Sequence, residues 1–234
     1  MPTRPRFRRL AAWLGGAVVL AVLLAVGLPY LYLHYVKSPA PAALTVGAAP
    51  SSAGTASPRT GLAGTWRVAA GSRAGYRVDE VLGGQATTAV GRTDAVTGEL
   101  TVVGTRATEG AFRVDLTKVT SDSDRRDGQF QGRIMETARY PTATFTLTEP
   151  AALDALATAT GPVPVPATGT LALHGVTRPT TVALTAVRSG ETVQVGGQVP
   201  VTFADHGIAN PSFGDVVKTG DTGTIELLLT LEKQ

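Results

Sequence analysis

Hydrophobic and polar residues alternate with a period of two along most of the chain after Thr65. The run 225–231 is a clear example, because Ile225, Leu227, Leu229 and Leu231 are separated by residues such as Glu226. This alternation predicts strands with one buried and one wet face, as in antiparallel sheets, and it places Glu226 in water. About eight or nine such strands, separated by glycine-containing turns, predict an all-β sandwich or barrel.

Some segments depart from this simple alternation. The run 193–203 predicts one long strand with an irregularity at Gly196-Gly197. The segment 122–134 predicts a short helix, with Ser121 or Asp122 as its N-cap and acidic residues in its first turn. A second, weaker helical pattern covers 151–157.

The N-terminal part of the chain has the features of a membrane anchor. Residues 10–36 contain no Lys, Arg, Asp or Glu, and the stretch Leu10 to Leu28 alone approaches the ~20 residues needed to span a bilayer as a helix. The preceding tail, 1–9, carries four arginines and is therefore predicted to stay in the cytoplasm. The alternative is a cleaved signal peptide, whose apolar region should be shorter. Either alternative places the rest of the chain outside the cytoplasm.

Residues 37–63 consist mainly of Ala, Pro, Ser, Gly and Thr, which predicts a semi-extended extracytoplasmic linker before a folded domain at 64–234. Six of the 21 basic residues of the chain lie in the first 63 positions. The domain at 64–234 therefore contains 15 basic residues and all 18 acidic residues. A mildly acidic domain argues against nucleic acid as a partner. The chain has no cysteine, which excludes disulfides and cysteine-based metal sites or nucleophiles.

The candidates for catalysis are weak. His174 precedes Gly175 at a predicted hairpin turn and has no neighbouring carboxylate, which favours a turn position over a chemical role. His206 lies near Asp205, Ser212 and Asp215, but the chain has no G-x-S-x-G motif to present a serine nucleophile. No enzymatic activity is therefore predicted.

The acidic residues before the predicted helix do not form a calcium loop. Counted from Asp122, the fifth and sixth positions of an EF-hand loop would be Arg126 and Asp127, where the pattern requires Asp or Asn and then Gly. The simpler interpretation is a capped, solvated helix start. The chain therefore offers no predicted metal site and no predicted cofactor.

Three stretches resemble the YceI-like family of polyisoprenoid-binding proteins. GTWRVAAGSRAGYRV matches the first strands at Trp66 and Val68, and FRVDLTKVTSDSDRRDGQFQGRIMETARYPTATF matches a turn, a helix start and a Tyr-Pro-x-x-x-Phe element. The most specific match is a G-x-L-x-x-x-G-V-T-[KR]-P hairpin formed by Gly169, Leu171, Gly175, Val176, Thr177, Arg178 and Pro179. The resemblance covers 64–232. It departs from the family near the C-terminus, where Ala209-Asn210-Pro211 replaces an Asn-Arg pair.

The resemblance implies an extended antiparallel, eight-stranded lipocalin-like barrel with an apolar cavity for an isoprenoid lipid such as a polyprenyl phosphate or quinone. A barrel of about eight strands is wide enough to hold one small ligand. The candidate lipid-binding residues are large, apolar and predicted to face inward: Phe112, Phe130, Ile134, Phe145, Leu147, Leu171, Leu173, Leu184 and Phe203. The prediction is a lipid-binding protein tethered to the cytoplasmic membrane through its N-terminal helix, with its barrel outside. The alternative is a β-rich envelope interaction module without a cavity, and no protein partner is predicted.

Overall fold

The computed structural model describes residues 39–47, 61–214 and 216–234. The predicted cytoplasmic tail, membrane anchor and most of the linker lie outside these ranges. Twelve strands are present in the described residues: β1 (Gly64–Val68), β2 (Arg73–Leu82), β3 (Gln85–Thr93), β4 (Val96–Val103), β5 (Arg106–Asp115), β6 (Thr142–Leu147), β7 (Ala151–Ala152), β8 (Val163–Leu173), β9 (Val176–Ser189), β10 (Thr192–Thr202), β11 (Val217–Thr219) and β12 (Thr222–Lys233). Within the same ranges, no helix has the length and apolarity needed to cross a bilayer.

Eight strands close into an antiparallel ring in the order β1-β4-β5-β6-β8-β9-β10-β12. The ring closes where β12 pairs with β1, with Leu231 opposite Val68. This confirms the prediction of an all-β, eight-stranded antiparallel barrel. The first half of β12 pairs instead with β2, and β2 in turn pairs with β3 and β11, so the wall continues past the ring at one end. We call this open end the mouth.

Two short helices accompany the barrel, as predicted, but their limits differ from the prediction. Helix α1 (Asp124–Gln129) is followed by a π-helical turn over Phe130–Ile134. Its N-cap is Ser123, whose hydroxyl accepts the backbone N–H of Arg126, so the proposed cap at Ser121 or Asp122 is wrong. Ser121 instead donates both its backbone N–H and its hydroxyl to Asp127, which fixes the chain just before the helix. Helix α2 (Asp154–Thr158) starts later than predicted because Ala151 and Ala152 form β7.

The predicted irregularity at Gly196-Gly197 does not interrupt β10. Its pairing with β12 is continuous from Thr192 to Thr202. Its pairing with β9, in contrast, ends at Gly197, opposite Leu184. The glycine pair therefore marks the point where β10 separates from one neighbour and stays paired with the other.

A segment of the predicted linker packs on the outside of the barrel. We call residues 39–47 the strap. Leu44 is buried, and its backbone N–H donates to Glu226 Oε2 at 3.2 Å. Arg77 Nη2 donates to the carbonyl of Pro41 at 2.5 Å, and Arg92 Nη2 donates to the carbonyl of Ala42. The sequence did not predict that any part of the linker contacts the barrel.

The strap explains why Glu226 is not in water. Glu226 points away from the barrel interior, as predicted, yet its side chain is 0% exposed because the strap covers it. Arg92 Nε lies 2.7 Å from its Oε1, and Arg77 Nε lies 3.6 Å from its Oε2. The predicted wet position is therefore wrong, and the outer wall carries a buried carboxylate between two arginines.

Candidate ligand cavity

The barrel interior holds a cavity of about 170 Å³, which we call the inner cavity. Its lining is apolar apart from Thr144 and Thr180. At the end opposite the mouth, the inner cavity is bounded by Leu62, Trp66 and Leu231, all of them nearly fully buried. We call these three residues the plug. The indole N–H of Trp66 donates to the carbonyl of Leu62 at 2.8 Å, so the polar atom of this plug is satisfied. A cavity with so few polar groups suits a hydrocarbon chain better than water.

A larger cavity of about 530 Å³ lies at the mouth, and we call it the mouth cavity. It is bounded by β2, by α1 and the π-helical turn, and by the segment after β10. The two cavities share the lining residues Ala74, Val114, Ala143 and Ile225 and therefore adjoin each other. Together they form an apolar path from the mouth to the plug at Trp66.

All nine predicted cavity residues line this path. Those on the inner cavity are Phe112, Phe145, Leu147, Leu171 and Leu184. Those on the mouth cavity are Phe130, Ile134, Leu173 and Phe203. The period-two pattern thus identified the inward face of β5, β6, β8 and β9, and Phe130, Ile134 and Phe203 lie in helical turns. Contact of any of these side chains with a ligand stays a prediction.

Glycines on neighbouring strands make room for the large inward side chains. A Cβ atom placed on Gly169 would lie 2.6 Å from the Phe145 ring, and one on Gly98 would lie 2.7 Å from the Phe112 ring. The ring of Tyr76 covers Gly91 in the same way. Because the rings lie against bare backbone, they extend less far toward the barrel axis. Sequence reasoning missed these recesses, since it treated the glycines as turn or strand-breaking signals.

Polar residues are concentrated at the mouth. Arg126 on α1 reaches Glu80 on β2, with Nη2 at 3.3 Å from Oε1, and it also pairs with Asp122. Beside them, the Tyr76 ring stacks on Phe130 with centroids 4.9 Å apart. Burial raises the pKa of the Tyr76 phenol above its usual range, an effect that Arg126 partly opposes, so the phenol stays neutral. The mouth therefore offers a neutral hydroxyl and a paired arginine next to an apolar interior.

Sequence reasoning did not select Tyr76, Glu80 or Arg126 as site residues. Tyr76 and Glu80 share the inward phase of β2 with Ala74 and Val78, so the alternation of that strand was the available signal. Arg126 had no such signal, because its partner Glu80 is 46 positions away in sequence.

His174 occupies the turn predicted for it, but it is buried there. It lies between β8 and β9 with a positive φ of 51°, next to Gly175 with a φ of 77°. Its Nδ1 lies 3.1 Å from the carbonyl oxygen of His206, and its ring meets Tyr140 edge-on with centroids 4.7 Å apart. These contacts give His174 a structural role at the turn of the hairpin.

Asp205 and Ser212, two of the residues considered for a catalytic triad, have other partners, and Asp215 lies outside the described residues. Asp205 pairs with Arg178, and its carboxylate lies 3.2 Å from the guanidinium. The Ser212 hydroxyl lies 3.1 Å from that of Thr219 and accepts its backbone N–H. In the part of the chain that the structure describes, no group of three His, Asp or Glu side chains is placed to hold a metal ion.

The fold agrees with the comparisons to known proteins. The model of the YceI-like domain family matches residues 66–231. The chain belongs to the YceI-like domain family. A comparison with curated proteins gave no match.

Solved structures share the fold of this YceI-like chain. A polyisoprenoid-binding domain from Saccharophagus degradans, implicated in plant cell wall breakdown, is 21% identical with a TM-score of 0.59, and the match covers 74% of this chain and 99% of that one. BcnA of Burkholderia cenocepacia is 18% identical with a TM-score of 0.57, covering 70% and 98%. The YCEI protein of Campylobacter jejuni is 14% identical with a TM-score of 0.50, covering 62% and 84%.

Proposed function

We propose that this YceI-like chain is a binding protein that holds an isoprenoid lipid in its barrel, outside the cytoplasm and tethered to the cytoplasmic membrane. The observation that carries the proposal is the apolar path formed by the two adjoining cavities. The polyisoprenoid-binding domain of Saccharophagus degradans, which has the same fold, supports this ligand class. The uncharged run at 10–36 supports the tether.

The hydrocarbon chain of the ligand would occupy the inner cavity, with its head group in the mouth cavity. Each CH₂ group transferred from water into the apolar path contributes about 0.8 kcal/mol, so a long isoprenoid chain can bind with few polar contacts. Tyr76 and Arg126 are the groups that would meet a polar head group, since both line the mouth cavity. The proposal covers a polyprenyl phosphate or a quinone-like molecule, and it assigns no reaction to the chain.

The proposal can be tested by narrowing the inner cavity. Ala186 lines this cavity and is 1% exposed. The variant Ala186→Leu adds three carbons toward the cavity, and Ala183→Leu adds them to an exposed position on the same strand. If the barrel holds a lipid, extracts of Ala186→Leu should contain a smaller amount of isoprenoid, or isoprenoid with shorter chains, than extracts of the wild type. The melting temperature of the variant should stay near that of the wild type.

The measurement is mass spectrometry of lipids extracted from the full chain purified in mild detergent. Wild type, Ala186→Leu and Ala183→Leu carry the same N-terminal segment, so lipid bound to that segment cancels in the comparison. Equal isoprenoid recovery from all three proteins, or none from the wild type, would contradict the proposal. If the barrel were filled by its own side chains, Ala186→Leu would instead lose about 1–3 kcal/mol of stability through overpacking.

A further inference from the structure

Large apolar side chains are exposed at the mouth of the barrel. In the described residues, the large hydrophobic residues that stay exposed are Val81, Val103, Phe213 and Val216, at 40%, 63%, 50% and 58%. Three of these four are at the mouth, and Val103 is at the opposite end, where β4 turns into β5. We call Val81, Phe213 and Val216 the rim.

The rim is held in place by backbone hydrogen bonds and continues into the cavity. The carbonyl of Val216 accepts the N–H of Gly83 in the β2–β3 turn at 2.9 Å, and Phe213 donates its N–H to the carbonyl of Val217 at 2.9 Å. Phe213 and Val216 also line the mouth cavity, although each is about half exposed or more. The side chains of Phe213 and Val216 therefore reach from solvent to the cavity, whereas Val81 does not line it. Exposed apolar side chains grouped beside an apolar cavity are typical of a docking site.

The strap leads the chain toward the mouth end of the barrel. At its C-terminal end, Gly47 lies near Gln194, which pairs with Thr230 deep in the wall. At its N-terminal end, Pro41 is bound by Arg77, which pairs with Thr224, two residues from the start of β12. The chain before Pro41 therefore leaves the barrel wall on the mouth side.

The distances place the rim within reach of the membrane. The predicted anchor ends at residue 36, and the five residues from there to Pro41 can span at most about 17 Å. Along β2, the four residues from Arg77 to Val81 in the rim span about 13 Å. If the membrane surface lies at residue 36, the rim can therefore contact it while the strap stays bound to the barrel wall.

We propose that the rim docks on the outer leaflet of the membrane that carries the chain, so that lipid passes between the bilayer and the mouth cavity without crossing water. The occupant of this surface is the bilayer, because the exposed apolar residues border a cavity for a membrane-soluble ligand and the strap directs the tether to the same end. This inference rests on the proposed function for its anchor and its ligand. It adds the orientation of the barrel and the residues that touch lipid.

Because the chain contains no cysteine, one cysteine introduced at a chosen position can be labelled specifically. Val216→Cys at the rim and Val103→Cys at the far end are both exposed and apolar, and each would carry an environment-sensitive nitrobenzoxadiazole probe. The full-length variants would be reconstituted in vesicles of phosphatidylcholine with and without doxyl-labelled phosphatidylcholine. We expect the Val216 probe to shift to shorter wavelength and to lose most of its emission to the doxyl lipid, while the Val103 probe stays in water.

Equal quenching at both positions, stronger quenching at Val103, or no quenching at Val216 would overturn the docking. The isoprenoid content of the same preparations separates this result from the proposed function. Bound isoprenoid without quenching at Val216 would refute the docking and leave the binding function intact. Quenching at Val216 without bound isoprenoid would support the docking and refute the binding function.

A transfer experiment adds a second readout. Val81→Asp places a charge on the rim residue that does not line the mouth cavity, and Val103→Asp is the matched control. Docking predicts that Val81→Asp slows isoprenoid exchange between donor and acceptor vesicles on the order of tenfold, as expected when an apolar side chain no longer leaves water. The amount bound at equilibrium should not change. An unchanged exchange rate for Val81→Asp, or an equal loss for Val103→Asp, would contradict the docking.

Discussion

The buried carboxylate of Glu226 should be essential for both the barrel wall and the strap. The variant Glu226→Gln keeps the size of the side chain and removes its charge. Arg77 and Arg92 would then keep their charges without a counter-ion, and the N–H of Leu44 would lose its charged acceptor. Loss of one partner from a buried ion pair costs about 3–5 kcal/mol.

The structure indicates the lower end of this range. The side chains of Arg77 and Arg92 are 21% and 19% exposed, so both guanidinium groups can regain some contact with water when Glu226 is neutral. We therefore expect a loss of about 3 kcal/mol in the free energy of unfolding, which corresponds to a fall of about 6–12 °C in the melting temperature of a domain of this size.

Thermal unfolding of the full chain in detergent measures the stability, and amide hydrogen exchange of the strap measures its attachment. Glu226→Gln should accelerate exchange at Leu44, because the acceptor of that N–H is weakened. The control is Glu99→Gln, whose pair with Arg67 is exposed, with side chains 59% and 60% accessible, and is worth less than about 1 kcal/mol. If both variants lose the same small amount and exchange at Leu44 is unchanged, the ion pairs at Glu226 do not hold the strap.

Three further predictions follow from the interior and the hairpin. Phe145→Trp should keep the melting temperature of the lipid-free protein near that of the wild type and lower isoprenoid recovery in mass spectrometry, because Phe145 borders a cavity; strong destabilisation with unchanged recovery would contradict a hollow barrel. Gly169→Ala should lose about 1–3 kcal/mol in urea unfolding, because its methyl group would collide with the backbone oxygen of Thr146 and with the Phe145 ring, whereas Gly161→Ala, with open space around it, should lose less. His174→Ala should lose about 2 kcal/mol in the same assay with lipid binding unchanged, because it removes a buried hydrogen bond and an aromatic contact; a tenfold loss of binding would instead assign His174 to the site.

The sequence was sufficient to predict the strands and their inward faces. On β12, alternation correctly placed Ile225, Leu227, Leu229 and Leu231 inside, since a strand of period two has only two faces and the apolar one must be buried. The resemblance to a known family added the closed barrel, which alternation alone does not distinguish from a sandwich. The six candidate side chains that lie on strands line the cavities for the same reason, because inward phase is a local property of each strand, whereas Phe130, Ile134 and Phe203 lie in helical turns at the mouth.

The sequence could not predict what covers the outer face of a strand. Alternation along β12 assigns Glu226 to the face in contact with water. It is buried because the strap, about 180 positions earlier in the chain, lies across it. The turn position predicted for His174 likewise gave no sign of its burial, since Tyr140 and the segment at His206 close over the turn. Contacts between distant segments depend on how the barrel closes, and no local pattern records them.

In the proposed lipid-binding function, the glycine recesses would set how far a ligand chain can enter the barrel. Gly91 and Gly169 seat rings at two different depths, Tyr76 in the mouth cavity and Phe145 in the inner cavity. A methyl group on Gly91 would meet the Tyr76 ring and tilt it toward the axis, whereas one on Gly169 would also meet the backbone oxygen of Thr146. A Gly91→Ala change would therefore shorten the space open to a ligand chain at the mouth, and the length of the ligand that fits would depend on a position that has no side chain.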